Sequence, residues 1–123
     1  MYTNSNVWIA IILAGIAGCI MTAIFAKAIK GIDISAIAGN WKKHLWSIIF
    51  AIPIPFLFSL DVSWGIFIAF AWLVLAPTIA TKLYFAKDIP LSSMTLNAFH
   101  CGYALMALLV FVWVTRYLAI MMS

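Results

Sequence analysis

Four residues capable of chemistry, Asn97, His100, Cys101 and Tyr103, crowd into LNAFHCGYAL, residues 96–105, a stretch otherwise apolar enough for a bilayer. Amide, imidazole and thiol groups can hydrogen-bond between helices, move protons or hold metals. Spacings of three and four residues place Asn97, His100 and Cys101 on one helix face, with Phe99 and Tyr103 pointing elsewhere. Other apolar stretches carry polar groups at matching depth: Cys19 with Thr22, His44 with Ser47, and Thr78 with Thr81 beside Pro77. The expected site is one polar patch made of Asn97, His100, Cys101, His44, Ser47, Thr22 and Thr78. Polar side chains in lipid turn toward the protein interior and pair there. Hydrogen bonding between packed helices is the chemistry this pattern favours.

More specific chemistries ask for groups that the pattern lacks. Zinc takes three or four His, Cys or carboxylate ligands. His44, His100, Cys19 and Cys101 form no paired motif. His100 and Cys101 point about 100° apart, unlike the i, i+4 histidines of a helical zinc site. No metal is expected. His44 and His100 are of the right type to ligate haem, but no cofactor is expected either. No Asp or Glu falls in any apolar stretch, and no Ser or Cys has the partners of a hydrolytic constellation. The chain therefore reads as non-enzymatic.

Composition sets the solvent. Of 123 residues, 67% are hydrophobic and 8% charged, against about 25% charged in soluble chains. One membrane domain over 1–123 is expected, an all-α integral membrane four-helix bundle. Its spans lie at about 7–26, 45–60, 62–80 and 93–116. The opening MYTNSN has no basic n-region, so 7–26 reads as a retained span. Two cysteines inside apolar stretches do not form a disulfide framework.

Each span carries its own marks. In 7–26, Ala10, Ala14, Gly18 and Thr22 recur every four residues, a small-residue face for close helix packing. In 45–60, Pro53 and Pro55 remove two N–H donors, so a kink or broken turn is expected. The carbonyl set free there needs a donor from a neighbouring helix. Pro90 suits the first turn of the last helix. Between the first two spans, 27–44 reads as an interfacial loop, with Asp33 or Ser35 able to cap a short turn.

Charge gives orientation. Lys27, Lys30, Lys42, Lys43, Lys82 and Lys87 flank the first and third loops, and only Arg116 sits at the opposite end. Lys and Arg collect on the cytoplasmic side. Both termini are therefore expected on the non-cytoplasmic side of a cell membrane, the inner or plasma membrane. Trp8, Trp64, Trp113 and Tyr117 fall at the outer boundary; Trp41, Trp46 and Tyr84 fall at the inner one. Only Trp72 lies mid-span. An outer ion pair between Asp61 and Arg116 is compatible with this arrangement. Topology accounts for the basic residues, so no nucleic-acid partner is expected.

The stretch GIFIAFAWLVLAPTIATKLYFAKDIPLSSMTLNAFHCGYAL, residues 65–105, resembles a family of small bacterial four-helix membrane proteins catalogued only as a domain of unknown function. The likeness rests on the Trp72-containing helix ending near Pro77 and Thr78, on Pro90-Leu91, and on Asn97-Ala98 followed by Gly102-Tyr103. The family places a Trp-Tyr pair late in its first helix, where this chain has Ala23-Ile24-Phe25. The resemblance implies a four-helix fold and carries no activity or site residues. The small multidrug-resistance transporters are similar in length and plan, but they hold a carboxylate in helix one that 7–26 lacks.

The function expected from the sequence is helix association, as a homo-oligomer or a small accessory subunit of a membrane complex. Its partners would be the bilayer and other membrane chains. The alternative is a small-solute transporter or channel working as an oligomer, with its path at Asn97 and His100. The topology is directly testable. Single cysteines placed in the two terminal tails of a Cys19→Ala/Cys101→Ala protein should react with an impermeant maleimide on intact cells. A cysteine at Lys87 should react only after lysis, and the reverse pattern overturns the orientation.

Overall fold

The structure, a computed structural model, describes residues 3, 5–39, 41–58, 62–84 and 92–122. Its elements are α1 (Ser5–Lys30), α2 (Ile34–Ala38), α3 (Trp41–Ala51), α4 (Ile54–Phe58), α5 (Val62–Tyr84) and α6 (Ser93–Met122), with no strand among the described residues. Three segments are long and apolar enough to cross a membrane: Ser5–Lys30, Trp64–Leu83 and Met94–Tyr117. The 26 residues of α1 reach about 39 Å at 1.5 Å per residue, longer than a hydrocarbon core. Expectations that rest on Asp61, Lys87 and Pro90 concern positions outside the described residues.

The expected second span, 45–60, is divided. It begins as α3 at Trp41, stops at Ala51, and resumes as α4 after Ile52 and Pro53. Pro53 cannot donate to Ile49 O, so the Ile52 N–H takes that carbonyl in a tighter turn, at 3.2 Å. Pro55 sits in the first turn of α4, where a missing N–H costs no helical bond. Two prolines so close break the helix outright.

The segment after α1 is more ordered than a loop. Gly31, at φ +69°, turns the chain out of α1, a conformation that glycine adopts without steric cost. Asp33 then caps α2, its carboxylate accepting from the Ser35 N–H at 3.3 Å. From α3, Lys43 Nζ donates to Ala36 O at 3.1 Å, and His44 Nε2 lies 2.6 Å from Ala38 O. Two side chains of α3 thus hold the last carbonyls of α2, where cations are favoured.

The core has two layers. In the first, Ala10, Ile11 and Ala14 of α1 meet Ala104, Ala107, Phe111 and Val114 of α6, with Ala51, Ile54, Leu73 and Val74 alongside. In the second, Cys19, Ala23 and Ala26 meet Leu96, Phe99 and Ile37. The first half of α1 therefore faces the second half of α6, and these helices run antiparallel. The small-residue face of α1 is used inside the chain. A Cβ on Gly15 would come within 2.6 Å of Ile48 Cα, and one on Gly18 would enter the Tyr103 ring. Thr22 is half-buried, with Oγ1 donating to Gly18 O at 3.0 Å.

Large apolar side chains cover the outside: Ile12, Ile20, Phe67, Leu75, Leu105 and Leu109 are all exposed. Lipid is the solvent that accepts them. Across the break, Trp72 Nε1–H donates to Phe50 O at 2.8 Å. Trp72 of the apolar α5 is the neighbouring donor that the break calls for. Removing it with Trp72→Phe should cost roughly 0.6–1.7 kcal/mol, the range for hydrogen bonds between membrane helices. The unfolding midpoint in a fixed bilayer mimetic checks this, and an unchanged midpoint would show that the bond contributes nothing.

Candidate functional site

Five of the six helices converge on one cavity of about 70 Å³. From α1 come Cys19 and Thr22, from α2 Ile37, and from α3 Lys43, Trp46, Ser47 and Phe50. Pro77, Ala80 and Thr81 of α5 close another side, and Leu96, Phe99, His100 and Tyr103 of α6 complete it. The volume suffices for a few water molecules or one small polar group. The cavity lies toward the end of the fold that carries Lys27, Lys30, Lys42, Lys43 and Lys82, away from Arg116.

The helical period explains which α6 residues face inward. Leu96, Phe99, His100 and Tyr103 follow the i, i+3, i+4, i+7 spacing of a single stripe. Phe99 and Tyr103 therefore share the face of His100, against the expectation that they point elsewhere. Both are 2% exposed, the most deeply packed aromatic residues of α6. Cys101, about 100° round from His100, leaves the cavity and packs on the first core layer. Asn97 flanks the stripe, half-buried.

Thr78 joins the polar groups. It is 6% exposed and His100 7%. Thr78 Oγ1 lies 2.7 Å from Asn97 Oδ1, 2.8 Å from His100 Nδ1 and 3.0 Å from Val74 O. A hydroxyl has one proton to give and two lone pairs to accept with. That single proton can go to Asn97 Oδ1, to Val74 O or to His100 Nδ1, and the choice sets the His100 tautomer. His100 Nε2 is in every case the ring nitrogen that Thr78 does not hold.

The remaining polar residues are mostly satisfied on their own helices. Ser47 Oγ donates to Lys43 O at 2.8 Å, and Thr81 Oγ1 to Pro77 O at 2.7 Å, the i−4 bond that also serves Thr22. His44 does not line the cavity. Its Nε2 is occupied at Ala38 O, and its buried Nδ1 has no partner among the described residues. The expected patch thus divides. Asn97, Thr78 and His100 form one hydrogen-bonded group; Thr22 and Ser47 line the cavity beside it; His44 and Cys101 lie apart. Among the described residues no three His, Cys, Asp or Glu side chains gather as metal ligands.

Tyr103, expected to point away from the patch, lines the cavity. Its hydroxyl donates to the Ser47 carbonyl and ties α6 to α3 across the cavity floor. A tyrosine deep in an apolar stretch is itself a signal, because a buried phenol needs a partner. Lys43 was also missed as a lining residue, since its charge drew it to the boundary. Trp46, Phe50 and Trp72 form a ring series on the α3–α5 side. Trp46 stacks on Phe50 with centroids 5.8 Å apart, and Phe50 meets Trp72 edge-on at 6.5 Å.

No family model, curated protein or solved structure matches the chain. The site therefore stands on its own geometry. That geometry makes Thr78 the joint: its hydroxyl lies within hydrogen-bond distance of both Asn97 and His100. Thr78→Val removes one partner from two polar side chains and should destabilise by about 1–3 kcal/mol, the cost of unpaired buried polar groups. Thr78→Ser retains the hydroxyl and should cost less than half as much. Equal unfolding midpoints for the two variants would remove Thr78 from this role.

Proposed function

We propose that this chain is a non-enzymatic membrane protein that crosses the bilayer four times and holds a small ligand in the five-helix cavity. The observation that carries this reading is the lining of the cavity. Lys43, Ser47, Thr81 and His100 surround a space that the packed aromatic and aliphatic side chains do not fill. Polar groups that served only to join helices would be packed against each other. Here His100, one member of the Asn97–Thr78–His100 group, borders an open volume.

The four-crossing plan is supported by length and charge. Residues 41–58 cover about 27 Å at helical rise, close to the hydrocarbon thickness despite the break. The lysine-rich end would face the cytoplasm and both termini the other side. The resemblance read from the sequence of residues 65–105 implies the same plan. In this reading the cavity opens in the inner leaflet, and the membrane is a cell membrane.

Further copies of the chain, or other membrane subunits, would meet it on α5 and α6. Their outer faces carry Trp64, Phe67, Leu105 and Leu109, all more than half exposed. Ala10, Ala14 and Gly18 are already used within the fold.

The test is to fill the cavity. Thr81→Trp, at a half-buried lining position, should leave the protein folded in mild detergent and exclude the ligand. Native mass spectrometry of protein released from its own membranes should show a small-molecule adduct on the wild type and none on Thr81→Trp. Identical adduct patterns on two folded proteins would reject the cavity as a ligand site. The same spectra report the number of chains and any co-purifying subunit, which checks the association surface.

A further inference from the structure

Between α3 and α5 runs a groove of about 570 Å³, and its walls are almost wholly apolar. Ile68, Trp72, Leu75, Ile79 and Leu83 form its α5 side. Trp46, Phe50 and Ala80 line both the groove and the cavity, so the two spaces meet at these residues. From Ile68 to Leu83 the groove follows α5 for about 22 Å at helical rise. That exceeds one leaflet of a hydrocarbon core, roughly 15 Å.

Resting on the ligand-binding reading above, we infer that the ligand is a long-chain carboxylic acid, with its carboxyl group in the cavity and its acyl chain in the α3–α5 groove. Continuity, charge and orientation argue for it together. A space that is polar at one end and apolar along its length matches an amphiphile. Lys43 supplies a cation at the polar end, and His100 supplies an Nε2–H donor when its Nδ1 accepts from Thr78 Oγ1. A carboxylate uses both: one oxygen accepts from the ammonium and the other from the imidazole. The cavity volume admits this small head and excludes a phosphodiester headgroup with its substituents. Lys43 lies one helical turn beyond Trp46, toward the lysine-rich end, while from Ala80 to Ile68, about 18 Å at helical rise, the groove runs away from that end. The acid would therefore lie as leaflet lipids do, head at the boundary and tail toward the midplane.

The probe is a palmitic acid analogue with a diazirine near its methyl end, added to the full chain in phosphatidylcholine nanodiscs. Photolabel should collect on the α5 groove face around Ile68 and Trp72. Excess palmitic acid should remove it, and methyl palmitate should not. Lys43→Gln and His100→Ala should each weaken competition about tenfold, as expected for one charge-assisted or buried hydrogen bond. Label spread equally over the outer face of α6, at Leu105 and Leu109, means ordinary boundary lipid and overturns the proposal. Equal competition by the methyl ester overturns the carboxyl assignment. Failure of the broader ligand reading is seen separately, when wild type and Thr81→Trp carry the same adducts.

Discussion

Apolar side chains offer no hydrogen-bond donor, so a backbone carbonyl freed among them must be answered by another polar group of the protein. The break at Ile52 and Pro53 imposes that demand on Phe50 O, and Trp72 Nε1 meets it. Much of the site side of the fold depends on this bond. It fixes the indole of α5 against α3, and Phe50 is held between Trp46 and Trp72. These rings hold α3 beside α5 at one place while leaving the groove open along the rest of α5. An unbroken helix would keep Phe50 O in its own ladder, and Trp72 would have no polar partner there.

The opposite side of the fold follows a different rule. Small residues on α1 let α6 and α3 approach closely, so Gly18 receives the Tyr103 ring and Gly15 receives Ile48. This close contact carries the large α6 side chains inward. Phe99 and Tyr103 then occupy the centre, and the Tyr103 hydroxyl reaches the Ser47 carbonyl. Tight packing on the α1 side and an aromatic prop on the α5 side leave a gap between them, and the cavity is that gap. Its position does not require a special loop or a bound group.

The long helices were legible because an apolar run of twenty residues has few other solutions. The helix break was legible from Pro53 and Pro55, and the need for an outside donor from elementary hydrogen-bond accounting. The identity of that donor was not, because pairing Trp72 with Phe50 depends on the rotation of α5. The site was legible in part. Asn97, Thr78 and His100 were named from depth, and depth was enough to bring them together. Cys101 and His44 were misassigned for separate reasons. A window of four residues on α6 does not fix the centre of the inward face, which the 96-99-100-103 stripe sets. His44 lay at the right depth, but α2 folded into a helix whose last carbonyl captured the imidazole. The sequence pattern had read that segment as a loop.

Hydroxyl side chains in membrane helices are often taken as links between helices, yet most of those here bond to their own backbone. Thr22, Ser47, Thr81 and Thr115 each return a hydrogen bond to the carbonyl four residues back. Such bonds satisfy the proton without holding another helix, and the oxygen keeps its accepting capacity. Thr78 makes the same local contact but also meets two side chains of α6, and it is buried where the others are half-buried or less. Burial is the difference. A hydroxyl that faces open space can remain locally satisfied, whereas polar groups pressed together must satisfy one another. Three of these four half-buried hydroxyls, Thr22, Ser47 and Thr81, line the cavity. Their oxygens keep accepting capacity toward the cavity without giving up any internal bond.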